Sequence, residues 1–494
     1  MARPCGPENT FKPLAVLLFT TKQVVKAMEK EVAKRSQTIT PFFNPRSVAV
    51  IGASGKQKKI GYVIAKNFIE SFAGKIFLIN PNAREILSHQ CYPSLSSVPE
   101  EVELAVIAVP AKIVGEVLEE CGEKGVKAAV IISSGFKESG SDGAKMEEEL
   151  VMISRKYNIR LMGPNCMGVF DSSTMVDTLF IPRYRLKRPP RGKIAFISQS
   201  GASGIAFLDW AAGEKIGISK FASYGNAADV DEADLLEFLA GDSETKVIAM
   251  YLEGIKEGRK FASVAREVTK NKPVIVLKSG ATGSGARAAL SHTGSLSGSD
   301  EIFNAVVKQT GMIRVYDWEE MFDIARALAY QPGARGNRVA VITNGGGAGV
   351  MIADEIEKQG MKLADLREKT LSGLAAKFPP HVTLRNPMDL GGDADNERFQ
   401  DALGAVIEDD SVDSIILVCI PHTPSIDLES FVDMVLDTKG KNDKPLTICL
   451  PGGRVSLEIR ELFEENEIPT YPTPARAALS LSALVRYGRL KNGA

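Results

Sequence analysis

From Asn44 onward, short β-branched and aliphatic runs alternate with Gly/Ser/Asn/Pro turns and then with longer amphipathic stretches. That rhythm is the signature of parallel sheets covered by helices on both faces. In the first unit it predicts strands near Ser47-Ile51, Lys75-Ile79, Leu104-Val109, Ala128-Ile132 and Arg160-Met162. Their exits are Gly52-Ala53-Ser54-Gly55, Asn80-Pro81-Asn82, Val109-Pro110, Ser133-Ser134-Gly135-Phe136 and Gly163-Pro164-Asn165-Cys166. A Pro/Arg-rich stretch, Ile181-Arg191, reads as a linker. A second unit starts at Lys193, with exits at Ser198-Gln199-Ser200-Gly201, Tyr224-Gly225-Asn226, Glu253-Gly254 and Lys278-Ser279-Gly280. Gln331-Gly336 reads as the next linker, and a third unit opens with Val339-Thr343 followed by Asn344-Gly345-Gly346-Gly347-Ala348-Gly349. A later strand of that unit is expected at Ser414-Val418.

The expected fold is therefore α/β, with three mononucleotide-binding-type domains and mainly parallel sheets. The expected bounds are 41–180, 190–332 and 336–494, behind a poorly ordered leader of residues 1–40. A chain of 494 residues suits three domains. Pro13 to Phe19, behind Arg3 and Lys12, faintly resembles a secretory signal, but the run is short and no small-residue cleavage site follows it. Met28 is a plausible alternative start.

Composition narrows the partners. Lysine plus arginine is 60 against 61 acids, a net charge of -1, so nothing in the balance calls for nucleic acid or a membrane surface. No apolar run reaches the ~18 residues that span a bilayer. The six cysteines show no zinc-type or CxxC spacing, which fits reduced thiols in a cytoplasm. The four histidines are His89, His292, His381 and His422; no two have metal-ligand spacing, so no metal site is expected.

In parallel α/β folds, ligands sit beyond the carboxyl ends of the strands. Gly52 to Gly55 is a turn through which backbone amides can approach a pyrophosphate. An NAD ribose site would place an acid at the end of the second strand, but Asn80 stands there, and the glycine turn carries Lys56, Lys58 and Lys59. A missing acid with added cations suits a phosphorylated ribose, as in coenzyme A or NADP; the plainer alternative is a solvated lysine loop. Ser133 and Ser134 offer further donors along such a ligand.

His292 stands in a long small-residue loop, Gly280 to Asp300, with no apolar face to bury an imidazole structurally. Ser200-Gly201 and Asn344-Gly345-Gly346-Gly347 each follow a strand and open a helix, and a helix start favours a phosphoryl group. Two such starts converging on one histidine would stabilise phosphohistidine. Glu253, at the end of strand Val247-Leu252, can orient the imidazole; the alternative is a solvent-facing loop acid.

Taken together, Val50-Ile51-Gly52-Ala53-Ser54, Gly163-Pro164-Asn165-Cys166, Ile197-Ser198-Gln199-Ser200-Gly201, Tyr251-Leu252-Glu253-Gly254, Ser291-His292-Thr293-Gly294, Asn344-Gly345-Gly346-Gly347 and Asn386-Pro387-Met388-Asp389 resemble the NDP-forming acyl-CoA synthetases, relatives of succinyl-CoA synthetase. The resemblance spans residues 41 to 490 and is nearest to alpha subunits of ADP-forming acetate-CoA ligases. It implies a Rossmann-like CoA-binding domain followed by two flavodoxin-like ligase domains. It implies that His292 is phosphorylated, with Glu253 as its carboxylate partner, and that Ser200, Gly201 and Asn344 to Gly347 hold phosphate. CoA would lie along Gly52, Ala53, Ser54, Gly55, Lys59, Asn80, Val109, Pro110, Ser133, Ser134 and Asn165.

The implied reaction converts acyl-CoA, ADP and phosphate to acid, CoA and ATP through acyl phosphate and phosphohistidine. No stretch remains for an ATP-grasp module, so the resemblance implies a beta subunit that binds ADP/ATP with Mg2+, in an alpha2-beta2 heterotetramer. Two other readings are an NADP-dependent oxidoreductase and a non-catalytic CoA-binding regulatory protein; a third would make Cys166 an acyl-accepting thiol.

Overall fold

The computed structural model describes residues 39–285, 287, 299–440 and 443–492. The expected leader, apart from its last two residues, and the whole of Ser291 to Gly294, His292 included, lie outside the described residues. Three sheets are built in order along the chain, each with helices packed on it.

The first sheet has seven strands. Edge to edge they are Glu85–Ile86, His89–Tyr92, Lys75–Ile79, Ser47–Ile51, Leu104–Ile107, Ala128–Ile131 and Arg160–Met162. All neighbours are parallel except the outermost pair, Glu85–Ile86 with His89–Tyr92. Leu104–Ile107 and Ala128–Ile131 are shorter than their apolar runs suggest. The chain leaves the sheet as it turns toward Pro110 and Ser133, whose hydroxyl donates to the Val109 carbonyl.

The second sheet orders Ile313–Val315, Val274–Lys278, Val247–Leu252, Arg191–Ser198, Ile218–Ser223 and Gly168–Asp171. Its last strand is antiparallel and comes from the segment just after Gly163-Pro164-Asn165, so the chain of the first unit crosses into the sheet of the second. Sequence alternation missed that four-residue strand. It is buried along its whole length and so lacks an inside-outside rhythm. The third sheet runs Lys362–Leu363, Arg338–Thr343, Ser414–Val418, Leu446–Cys449 and Thr470–Tyr471, with Met388–Asp389 also pairing with Arg338–Thr343.

The α/β class with mainly parallel sheets is thus as expected. The strand interiors are continuous aliphatic runs, such as Val48, Ala49, Val50 and Ile51, because both faces are covered. The cores do not respect the units. One hydrophobic cluster joins Val48 and Phe68 to Ile197 and Met250, and another joins Phe207 and Phe322 to Val341 and Tyr471.

The two linkers are likewise anchored. Arg183 and Arg188 both bind the fully buried Asp177, and the Gln331 side chain accepts from the Leu446 amide. Between the second and third units, Arg326 lies buried between Asp323 and Glu464 at 2.6 and 2.7 Å.

Candidate functional site

Each sheet has one place where the strand order reverses, and there the two diverging turns leave a crevice. In the first sheet it lies between Ser47–Ile51 and Leu104–Ile107, so the Gly52 turn faces Ala108 and Val109. Gly52 has φ +91, and a Cβ on it would lie 2.4 Å from the Ala108 carbonyl oxygen; only glycine fits. The helix Ile60–Ser71 packs as closely on the turn, since a Cβ on Gly61 would fall 1.9 Å from the Gly52 oxygen.

Asn80 does more here than leave out an acid. Its side-chain amide donates to the Ala53 carbonyl at 2.7 Å, and its oxygen accepts from the Asn82 amide at 2.8 Å, so it fixes the glycine turn from the neighbouring strand.

In the second sheet the reversal falls between Arg191–Ser198 and Val247–Leu252, which sets Gln199 and Ser200 beside Glu253. Gln199, to which the local pattern assigns no role of its own, has one here. Its oxygen accepts from the amides of Glu253 and Gly254 at 2.7 and 3.0 Å, tying the two exits together. Ser200 caps the helix Gly201–Gly213, its hydroxyl accepting from the Ser203 amide at 3.3 Å. Glu253 is 6% exposed, which removes the solvent-facing alternative for it.

The two crevices open into a single cavity of about 1390 Å³. Its wall carries Gly52, Ala53, Ser54, Gly55, Lys59, Asn80, Val109, Pro110, Ser133, Ser134 and Asn165 together with Ser200, Gly201 and Glu253. Lys56 also lines it. The facing walls are laced: Asn226 and Ala228 amides donate to the Pro164 and Gly163 carbonyls, each at 3.0 Å. The Asn226 side chain reaches Glu138 and Glu147 at 2.6 and 2.8 Å, and Arg160 pairs with Asp229 and Asp234.

A second buried acid, Glu232, stands at the start of helix Glu232–Gly241. Burial, with Asp231 beside it, lifts its carboxyl to about 7. The same burial, with the charges of Glu232, Asp231 and Glu253, drives the Tyr224 phenol well up.

Asn344, Gly345, Gly346 and Gly347 lie at the reversal point of the third sheet, between Arg338–Thr343 and Ser414–Val418, and do not line the cavity. Asn344 spends its side chain on the backbone of Ile420, donating at 3.1 Å and accepting at 2.8 Å. Asp389 sits over the helix start, 2.6 Å from where a Gly346 Cβ would be. Asn386, from the same Asn-Pro-Met-Asp run, pins Val339, Val341 and Ala364.

Cys166 lines the cavity but is 4% exposed, its thiol bonded to the Ile131 carbonyl at 3.4 Å and pushed up to about 12 by burial. A thiol that stays protonated at neutral pH is a poor acyl acceptor. His381 pairs with Asp393, and His89 binds the Leu87 carbonyl. Among the described residues, no three His, Cys, Asp or Glu side chains converge to hold a metal ion.

Comparison with known proteins bears directly on this cavity. Residues 46–171 match the family model described as a CoA binding domain, residues 191–328 the succinyl-CoA ligase like flavodoxin domain, and residues 339–491 the ligase-CoA domain. Over 457 residues the chain is 45% identical to the alpha subunit of ADP-forming acetate–CoA ligase II of Pyrococcus furiosus, covering 92% of this chain and 98% of that one.

The chain belongs to the ADP-forming acetate–CoA ligase family.

Solved structures agree with that membership. Acetyl-coenzyme A synthetase 1 of Ca. Korarchaeum cryptofilum, solved with phosphate and ADP, is 39% identical, with a TM-score of 0.87 over 92% of this chain and 97% of that one. A protein of Pyrococcus horikoshii OT3 is also 39% identical, with a TM-score of 0.83 over 92% and 99% of the two chains. As a member of this ligase family the chain is an enzyme, and the oxidoreductase and non-catalytic readings are not favoured. No helix among the described residues is long and apolar enough to cross a membrane.

Proposed function

We propose that this chain is the alpha subunit of a cytoplasmic ADP-forming acetyl-CoA synthetase and carries out its acyl-transfer and phosphohistidine chemistry. The observation that carries the reading is the single cavity that joins the glycine turn of the first sheet to the Ser200 helix start and Glu253 of the second. CoA lies along Gly52 to Gly55, Lys59, Asn80, Val109, Pro110, Ser133, Ser134 and Asn165, with backbone amides and lysine facing its phosphates.

Inorganic phosphate sits at the Ser200-Gly201 helix start. Its oxygen attacks the thioester carbonyl carbon, the C–S bond breaks, and the thiolate leaves as CoA with the proton that phosphate gives up. His292 then attacks the phosphorus of the acyl phosphate, and the carboxylate departs. A neutral imidazole with an ordinary pKa of about 6.5 is nucleophilic near pH 7. Glu253 accepts the imidazole's other N–H and balances the charge that grows on the ring. The helix-start amides hold the phosphoryl oxygens throughout.

Asn344 to Gly347 supply a second helix start to the phosphorylated histidine. A beta subunit with an ATP-grasp module brings ADP and its Mg2+, in an alpha2-beta2 assembly, and takes the phosphoryl group to make ATP.

The test is to incubate the chain with acetyl-CoA and labelled phosphate and follow acid-labile, alkali-stable label. Label on the peptide that carries His292, lost in His292→Ala and cut at least a hundredfold in Glu253→Gln, is the expected result. Label that persists in His292→Ala would overturn the assignment.

A further inference from the structure

The reaction proposed above fixes where the acyl group must lie. Its carbonyl carbon has to come within bonding reach of a phosphate held at the Ser200-Gly201 helix start, while the nucleotide end of CoA stays at the Gly52 turn. The acyl chain therefore projects into the part of the cavity beside Gly201. Met167 stands there: it lines the cavity, is 4% exposed, and packs directly on the helix start, since a Cβ on Gly201 would lie 2.8 Å from the Met167 Cγ.

Met167 is held from both directions. Its amide donates to the Ser223 hydroxyl at 3.3 Å. Upstream, the Asn165 amide donates to the Ser133 carbonyl and the Cys166 thiol to Ile131. Downstream, the chain enters the antiparallel strand Gly168–Asp171, where a Cβ on Gly168 would fall 2.0 Å from the Thr178 hydroxyl. Behind its side chain is the second hydrophobic core, so Met167 cannot retreat from a bulky group without displacing packed aromatics. Gly201 in front of it and the core behind it together set the depth left for an acyl chain.

We propose that Met167 is the specificity-determining wall of the acyl pocket, admitting short unbranched acyl groups beside the phosphate and excluding branched and aryl ones. Phe180 and Ala202, which also line the cavity, complete its apolar surface. The inference rests on the functional reading above, since without a phosphate at Ser200-Gly201 nothing locates the acyl group.

The experiment compares wild type, Met167→Ala and the milder Met167→Val, each as the full chain with its nucleotide-binding partner. kcat/KM is measured for acetyl-CoA, isobutyryl-CoA and phenylacetyl-CoA in the direction that releases CoA. Removing the wall should raise the isobutyryl-to-acetyl ratio at least tenfold in Met167→Ala and in the same sense, by less, in Met167→Val, because each methylene of pocket depth changes discrimination about ten- to two-hundredfold. Ratios within twofold of wild type in a variant that still turns over acetyl-CoA would overturn the assignment of Met167. A wild-type complex that releases CoA from none of the three thioesters would instead overturn the functional reading itself.

Discussion

Replacing Glu232 by glutamine isolates the cost of keeping a carboxyl buried at the start of the helix Glu232–Gly241, beside Asp231. Glu232 is 2% exposed, and the lysines around it are already committed. Lys260 binds Asp231 and Asp234, and Lys256, itself pulled down by burial, donates to the carbonyls of Asn226 and Ala227. The carboxyl therefore holds its proton up to about 7, against the ordinary 4.5 that it regains on unfolding.

An acid raised in this way favours the folded state fully only below its unfolded pKa, and the benefit disappears as pH rises through the folded one. Between pH 5 and pH 8 the linkage removes roughly 2 to 3 kcal/mol of stability from the wild type. Glutamine keeps the shape and cannot ionise, so Glu232→Gln should match the wild type near pH 4 and exceed it by about 1 kcal/mol at pH 5 and about 3 kcal/mol at pH 8.

Urea titrations read by tryptophan fluorescence suit the measurement. The chain has 2 tryptophans, Trp210 and Trp318, and both belong to the second unit, as does Glu232. Stability curves for the two proteins that run parallel from pH 5 to pH 8 would refute the reasoning, because they would mean that Glu232 is ionised in the folded protein throughout.

Two further substitutions test the turns. Gly52→Ala places a methyl on a residue at φ +91 and 2.4 Å from the Ala108 oxygen, so the turn must open. CoA affinity measured by calorimetry should fall at least tenfold, and an unchanged Kd would detach the turn from CoA binding. Asn344→Ala strips both hydrogen bonds from Ile420 and should lower stability by about 1 to 3 kcal/mol in urea unfolding followed by far-UV circular dichroism. Full stability with phosphorylation of His292 lost would make Asn344 a phosphate ligand rather than the brace between the two strand exits.

The sequence by itself determined the class of fold and the strand exits at which a ligand site was to be sought. Continuous β-branched runs followed by glycine turns and amphipathic stretches admit little besides parallel sheets covered by helices. Because ligands in such folds gather at strand exits, the exits could be named before any contact was known. Gly52 and Glu253 were legible for that reason as strand-exit residues, and both line the cavity.

What the tertiary structure decided is whatever depends on residues far apart in the chain. That Gly52 and Ser200 share a cavity follows from two reversal points facing each other, which no local pattern encodes. Gln199 emerged as the tie to Glu253, and Asn80 as the brace of the glycine turn, only once neighbouring strands had been placed. That the Asn344 side chain joins two strand exits by binding Ile420, and that burial pushes the Cys166 thiol up to about 12, likewise emerged only from the packing. Side-chain identity and spacing travel with the chain, whereas burial, hydrogen-bond partners and proton affinity are properties of the surroundings, and only packing creates those.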